Sequence, residues 1–458
     1  MSSSVTESSN TVQVSDAGPS RKRLRIEVPA DTVSAKLRES MEAIVASAEL
    51  PGFRRGKVPP QLIEKRFGTS VRNEARGQLL TEAYQKAVEE TKLRVVGNPF
   101  AENMDKIELV AGKPVVFELD VEIVPEFTLP SLDGIAIKKP IMEVTETLVG
   151  DELKKIAINE GDLESREVAE PGDYITGHAV MVDTEGTKFY DLQGAVVQSP
   201  PAEREGKGMI LGIMVENFST QLGSPKAGDT VTITAKGPDG HEVEKIRGAD
   251  LTITFKAERV DRILPASTDK LVEMFGVASE DKLKEMIRER LSQHATVQQQ
   301  SAMRSQVERH LAQNTQMALP SRLTAEQSGR VLERRRLELM YRGVDAQKIE
   351  EHMAELRAAS SATAAHDLKM FFIMTQASED LNVRVSDSEI NGRIAAMAFQ
   401  RNVRPEQLRN ELIKTGQISG IYTQIRDHKV ADAVIAKAVV EELSLEEFNK
   451  TMKDDGMM

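Results

Sequence analysis

A chain of 458 residues is too long for one compact core and predicts roughly three domains of ~150 residues each. Apolar residues at 40% and charged residues at 29% fit a folded protein rather than a disordered or membrane-embedded one, and the absence of cysteine excludes disulfide frameworks, zinc–thiolate sites and thiol nucleophiles. The net charge is −12, yet the stretch from Arg21 to Arg76 carries thirteen Lys/Arg against seven Asp/Glu, which favours a docking face for an anionic partner such as nucleic acid or a ribonucleoprotein. The polar N-terminus has no apolar run of the kind an export signal needs, and no stretch approaches the ~18 uncharged apolar residues of a spanning helix. The cytoplasm is therefore the expected address.

Residues 1–10 read as a disordered tail. Arg23-Leu24-Arg25-Ile26-Glu27-Val28 alternates strictly and predicts a half-buried strand. Asp31 then caps a helix whose face carries Val33, Leu37, Met41, Ile44, Val45 and Ala48. A loop from Pro51 to Pro60 separates it from a second helix through Leu62, Ile63 and Phe67, and a third is expected from about Ser70 to Glu90. Strands return near Ile107–Leu109 and at Phe117–Ile123, the latter expected with apolar residues inward and acidic ones outward. Strand, helices and strands over ~130 residues make an α+β module, with helices on one face of a small antiparallel sheet.

Residues 131–165 are expected to form a linker with an extended piece and a short charged helix around Leu148–Asn159. From Pro171 to Arg262 short strands such as Thr230–Thr234 and Leu251–Phe255 indicate a small β-rich domain. Beyond Ser267 the chain reads as almost entirely helical, with Ser279 capping a helix that runs past Gln300 and Leu319-Pro320-Ser321 starting another. Ser386-Asp387-Ser388-Glu389 is a capping box, and Asn402–Pro405 marks a turn. No fixed-period repeat is present, which argues against a solenoid.

The most informative stretch is Gly52-Phe53-Arg54-Arg55-Gly56-Lys57-Val58-Pro59. Two glycines permit a tight backbone, and Pro59 stands where the next helix begins. Between them lie one apolar ring and three cations, a combination able to meet a protein pocket and nearby phosphates together. All eight positions resemble the ribosome-binding signature of the trigger factor family, at the distance from the N-terminus that this family shows. The acidic strand ending in Val124-Pro125-Glu126 and the stretch from Asp269 to Val277 also resemble that family, as do domain order and length throughout. The resemblance implies an N-terminal ribosome-binding domain (11–130), an FKBP-like isomerase domain (166–262) and an all-α chaperone domain (263–458), together a multidomain α+β fold. For Phe53, Arg54 and Arg55 it implies contact with a large-subunit protein and ribosomal RNA beside the exit tunnel. The implied clients are nascent and unfolded polypeptides, with a homodimer off the ribosome as a further state of the free chain.

An X-Pro amide isomerises over a barrier of about 18–20 kcal/mol. An isomerase of the FKBP type lowers it with a dry aromatic basin and a few hydrogen-bond donors rather than an acid, base or nucleophile. Measured against that family, His178 occupies a place often held by Asp, and Ala179 stands where an aromatic is expected. Phe189-Tyr190 keeps the Phe and loses the following acid, and Met214–Phe218 replaces the usual Ile-Pro-Gly-Phe while Val215 and Phe218 keep its apolar character. The flap from Lys236 to Gly248 has His241 as its only ring. His178, Phe189, Val215 and Phe218 are thus the candidate catalytic set of a domain expected to fold like the isomerase and to catalyse weakly.

No Walker-type loop appears, so nucleotide-driven cycling has no support, and no cofactor is expected. Met340, Met353, Met370, Met374 and Met397 sit among charged and Ala-rich helices, a mixture that suits weak binding of many clients. His294, His310, His352, His366 and His428 fall at no ligand spacing, so no metal site is expected, and Arg334-Arg335-Arg336 reads as a solvated helix face. The reading is an ATP-independent ribosome-bound chaperone. Its first alternative is a prolyl isomerase whose flanking domains only recruit substrate; an RNA-binding protein and a periplasmic folding factor fit less well, lacking a stacking-aromatic motif and a signal segment respectively.

Overall fold

A computed structural model describes residues 10–47, 59–102, 104–201, 204–238, 240, 243–341, 344 and 346–454. The chain forms two compact units, one from residues 1–140 and 300–458, the other from residues 141–299. The expected tail over residues 1–9 lies outside the described residues.

The first unit begins with strands β1 (Thr11–Gly18) and β2 (Arg21–Val28), helices α1 (Ala30–Ser47) and α2 (Pro60–Thr91), and strands β3 (Val95–Phe100) and β4 (Val115–Ile123). The antiparallel sheet has the order β1-β2-β4-β3. Its register places Leu24 opposite Leu119, Ile26 opposite Phe117 and Val28 opposite Val115, so one face presents a continuous apolar surface. Val33, Ala75, Leu79, Leu80, Ala83 and Ala87 of the two helices close over that face.

Several expectations change here. The strand expected near Ile107–Leu109 is absent and Val95–Phe100 takes its place in the sheet, while Asp31 stands inside the first turn of α1, whose cap position is Pro29 because the Val33 N–H donates to Pro29 O. The helices expected around Phe67 and from Ser70 are one helix of 32 residues, α2, which runs through Gly68 without a break. A helical Gly costs about 1 kcal/mol relative to Ala, less than the apolar stripe from Val71 to Ala87 returns by burial. The acidic side of β4 does not face water uniformly either. Glu118 is exposed, but Asp120 and Glu122 are 7% and 8% accessible. Asp120 is held by Arg21 and by Arg23 Nε at 2.7 Å, both on the adjacent strand, and these hydrogen bonds keep its carboxyl below the usual range.

The helical part of this unit comprises the later residues of α6 (Glu280–Asn314), then α7 (Ser321–Tyr341), α8 (Ala346–Glu351), α9 (Met353–Asp380), α10 (Asp387–Gln400), α11 (Pro405–Lys414), α12 (Ile418–Ile435) and α13 (Leu445–Asp454). The Ser386 capping box forms as expected, and Ser279 Oγ accepts from Lys282 N at the start of α6. The helical reading missed one strand, β13 (Val439–Ser444), which pairs with β5 (Ala136–Ile141) near the other end of the sequence. Ile135 and Ile137 enter a core with Val307, Leu311, Ile373, Met374, Val430 and Val434. The first half of the expected linker is thus a structural part of the helical region.

The second unit contains α3 (Glu146–Asn159), β6 (Asp162–Arg166), β7 (Tyr174–Asp183), β8 (Lys188–Gln198), β9 (Gly208–Ile210), β10 (Ile213–Val215), α4 (Phe218–Leu222), β11 (Thr230–Lys236), β12 (Asp250–Leu264), α5 (Thr268–Met274) and the start of α6. Its five-stranded sheet runs β11-β12-β7-β8, and β6 pairs with the far end of β12. Ile175, Ala179 and Met181 of β7, Ile253 and Phe255 of β12, and Phe218 and Leu222 of α4 share one core. Gly208 is obligatory in that packing, because a Cβ there would collide with the Phe218 ring. A second cluster joins Val149 and Ile156 of α3 to Leu271, Leu283 and Ile287.

Glu389 receives Lys429 Nζ at 2.7 Å and the Ser386 backbone N–H at 2.8 Å, which lower its pKa from 4.5 to about 2. A carboxylate depressed on folding stabilises fully above its unfolded value and loses that contribution as pH falls through the folded one. The melting-temperature gap between the parent and Lys429→Met is therefore expected to be constant above about pH 5 and to shrink toward pH 2. Thermal melts across that range check this; a gap independent of pH would contradict it.

Candidate functional site

Of the segment expected from the sequence to bind the ribosome, Gly52, Phe53, Arg54, Arg55, Gly56, Lys57 and Val58 lie outside the described residues; Pro59 is described and exposed. What surrounds it is defined. Val33 and Leu37 pack near the Ala75–Ala87 stretch, whereas Met41, Ile44 and Val45 pack with Phe67, so α1 and α2 run antiparallel. The segment therefore joins the free ends of a helical hairpin whose longer arm extends about 48 Å at 1.5 Å per residue. Pro59 occupies the N-cap position of α2 and Pro60 its first turn, a preset φ that needs no amide donor. Arg38, Lys65, Arg66 and Arg72 are exposed on this hairpin, and so are Glu39, Glu42, Glu64 and Glu74, so the two helices are charge-balanced and the local basic excess comes from Arg21–Arg25 of β2 and from Arg54, Arg55 and Lys57. A groove of about 900 Å³ beside it is lined by Arg38, Arg72, Arg76 and Lys106, with Glu64 and Glu108 among them.

In the second unit the four candidate residues do not form one basin. Val215 is 3% and Phe218 0% accessible, and Phe189 packs against the same core. His178 is on the opposite face of β7 from Ala179 and Met181, where its Nε2 meets Asp191 Oδ1 at 2.6 Å. Asp191 also accepts from Lys188 Nζ at 2.7 Å, and these two contacts, that of Lys188 first, depress its carboxyl. Strand alternation explains the split: residues 175, 177, 179 and 181 point inward, so residue 178 points out. His241 lies outside the described residues.

The helical region sorts its methionines by depth. Met374 is core and Met370 packs against it, Met353 and Met397 are half-buried, and Met340 is exposed. Among the described residues the most exposed rings are Tyr341 (91%) and Phe399 (88%), which the sequence reading did not single out. Each stands at the C-terminal end of a helix, α7 at Tyr341 and α10 near Phe399, and Leu337 and Met340 extend the apolar surface beside Tyr341 along α7. An aromatic residue followed directly by polar residues, Arg342 after Tyr341 and Gln400 after Phe399, was the available signal. Among the described residues no group of three or more His, Asp or Glu could hold a metal ion, and no helix is long and apolar enough to cross a membrane.

Apolar rings exposed at helix ends and a long two-helix hairpin give the described residues surfaces of the kind that meet other macromolecules. A family model described as bacterial trigger factor protein matches residues 10–156, and one for the C-terminus of that protein matches residues 280–436. A trigger factor of Geobacillus thermodenitrificans is 29% identical over 425 residues, covering 91% of this chain and 96% of its own. One of Rhodopirellula baltica is 27% identical over 427 residues, covering 92% and 87%. A solved structure titled "Promiscuous Substrate Recognition in Folding and Assembly Activities of the Trigger Factor Chaperone" is similar at 17% identity and TM-score 0.49, covering 93% of this chain and 99% of that one. The chain belongs to the trigger factor family. Its function is that of a ribosome-associated chaperone.

The burial of Phe218 makes it a packing residue. Phe218→Ala is expected to destabilise the second unit by about 3–5 kcal/mol, whereas His178→Ala, on the outer face, should leave its melting nearly unchanged. Thermal unfolding of the two variants checks the contrast, and equal melting would show that Phe218 is not core.

Proposed function

We propose that Gly52 to Pro59 is the ribosome-docking element, with Phe53 entering a pocket on a large-subunit protein and Arg54, Arg55 and Lys57 meeting ribosomal RNA beside the exit tunnel. The observation that carries this is the position of the eight-residue signature within the matched stretch 10–156, at the joint of α1 and α2. In this reading the division is functional as well: residues 11–130 dock, 166–262 form the FKBP-like domain, 131–165 connect, and 263–458 hold nascent chains without ATP or any cofactor. The protein works in the cytoplasm, and the free chain forms a homodimer. Exposed rings such as Tyr341 and Phe399 are suited to weak, reversible contact with many clients.

The expected result of substituting Phe53, Arg54 and Arg55 together by Ala is loss of co-sedimentation with ribosomes at moderate salt and an unchanged melting curve, as befits a surface change. Binding equal to the parent would sink the docking assignment.

We infer also that prolyl isomerisation is weak. His178, Phe189, Val215 and Phe218 are the residues placed for it by resemblance, but three of them are engaged in the core and the fourth faces away. In an assay of X-Pro isomerisation in a short peptide, the full chain should turn over far more slowly than active members of the isomerase family. Turnover equal to theirs would overturn this reading and restore catalysis as a main role.

A further inference from the structure

Helix α7 starts without a cap of its own. The Thr324 N–H donates to Pro320 O at 3.0 Å, which makes Pro320 the N-cap residue, and proline has no side-chain oxygen to offer. The amides without an intrahelical acceptor are those of the first three helical residues, and the second and third belong to Arg322 and Leu323. These last two are satisfied from β4: Arg322 N donates to Glu122 Oε1 at 2.7 Å and Leu323 N donates to Glu122 Oε2 at 2.8 Å. Glu122 is only 8% accessible, and its negative charge stands at the positive end of the helix dipole.

The neighbouring contacts converge on the same place. Ser20 Oγ donates to Ala318 O at 2.7 Å, and the Arg322 guanidinium lies 4.5 Å from the centre of the Phe100 ring. Arg94 pairs at 2.8 Å with Glu379, at the C-terminal end of α9, the helix that packs along α7. Ser20 and Arg94 are adjacent to Glu122 in space, because the Ile123 N–H donates to Ser20 O and the Val124 N–H to Arg94 O, each at 2.9 Å. One end of the N-terminal sheet thus grips the base of the α7–α9 arm. The two apolar cores remain separate: the sheet and α1–α2 have theirs, and the helices have another that includes Phe127 and Leu129 from the segment after β4.

We propose that Glu122 is the N-cap of α7 supplied from another part of the chain, and that it acts as a polar latch fixing the arm to the ribosome-docking module. The segment after β4 tethers the two cores; the latch sets their orientation. It couples where the protein docks to where its arm points, with a carboxylate and two amides as the releasable contact. The docking role rests on the reading above, but the latch itself is testable in the free protein.

Amide hydrogen exchange of the full chain provides the first measurement. In Glu122→Ala the amides of Arg322 and Leu323 should exchange at least about fivefold faster, the effect of losing a cap, while those of α12 keep their rates. Glu122→Gln, which offers one good acceptor instead of two, should fall between. The second measurement uses the natural absence of cysteine: nitroxides at Ser15→Cys and Arg334→Cys should give one narrow distance distribution in the parent and a broadened one with Glu122→Ala. Unchanged exchange at both amides, or an unchanged distribution, would overturn the latch. If Glu122→Ala does not fold, Glu122→Gln decides alone, and parental exchange in it counts against the proposal. None of these readings depends on ribosome binding, so failure of the docking assignment is recognised separately.

Discussion

The pairing of β5 with β13 is the contact on which the first unit depends. It joins residues 136–141 to residues 439–444 and places Ile135 and Ile137 among the apolar side chains of α6, α9 and α12. Without that contribution the helices would expose part of the face they have to bury, since a helix in water gains most of its stability from tertiary packing. The ion pair between Lys139 and Glu442 at 2.8 Å lies on the same joint and adds register rather than much energy, both groups being partly exposed. A domain that looks C-terminal in the sequence is therefore completed by a segment from the first third of the chain.

Buried carboxylates do the positional work elsewhere. Asp120 holds two arginines of β2, Glu122 holds the start of α7, and Asp173, fully buried, accepts from Arg262 Nε at 2.6 Å and from the Glu170 amide. Each is costly to desolvate and each is fully engaged, so loss of a partner would cost more than the contact itself contributes. Such groups specify geometry: a carboxylate with two placed donors tolerates little rotation, whereas an apolar contact tolerates a good deal.

Local signals carried the reading where the structure is locally determined. The alternation of β2, the capping box at Ser386, the Ser279 start of α6 and the helix start after Pro320 all rest on a few adjacent residues, and all are present. What could not be read depends on partners far away in the chain. β13 has exposed valines at Val439 and Val440 and gains its identity from a strand some three hundred residues earlier. Glu122 looks like an outward acid until a helix two hundred residues on is placed beside it. The division of α2 into two expected helices, either side of Gly68, rests on local propensity, whereas the stripe that keeps α2 whole is tertiary. In the second unit, resemblance offered Phe189, Val215 and Phe218 as candidate catalytic residues, and their place in the core depends on how α4 and the sheet close together.

The β5–β13 joint also has a consequence in time. The chain is itself made from the N-terminus, at about 5–20 residues per second. After β5 has left the tunnel, roughly three hundred residues follow before its partner appears, a wait of roughly 15–60 s at those rates. Throughout that interval the edge of β5 has no native partner, and Ile135 and Ile137 gain their cover piecemeal as α6, α9 and α12 are made. A protein that shelters unfinished chains thus spends its own synthesis as one, and stays one until its last strand is made.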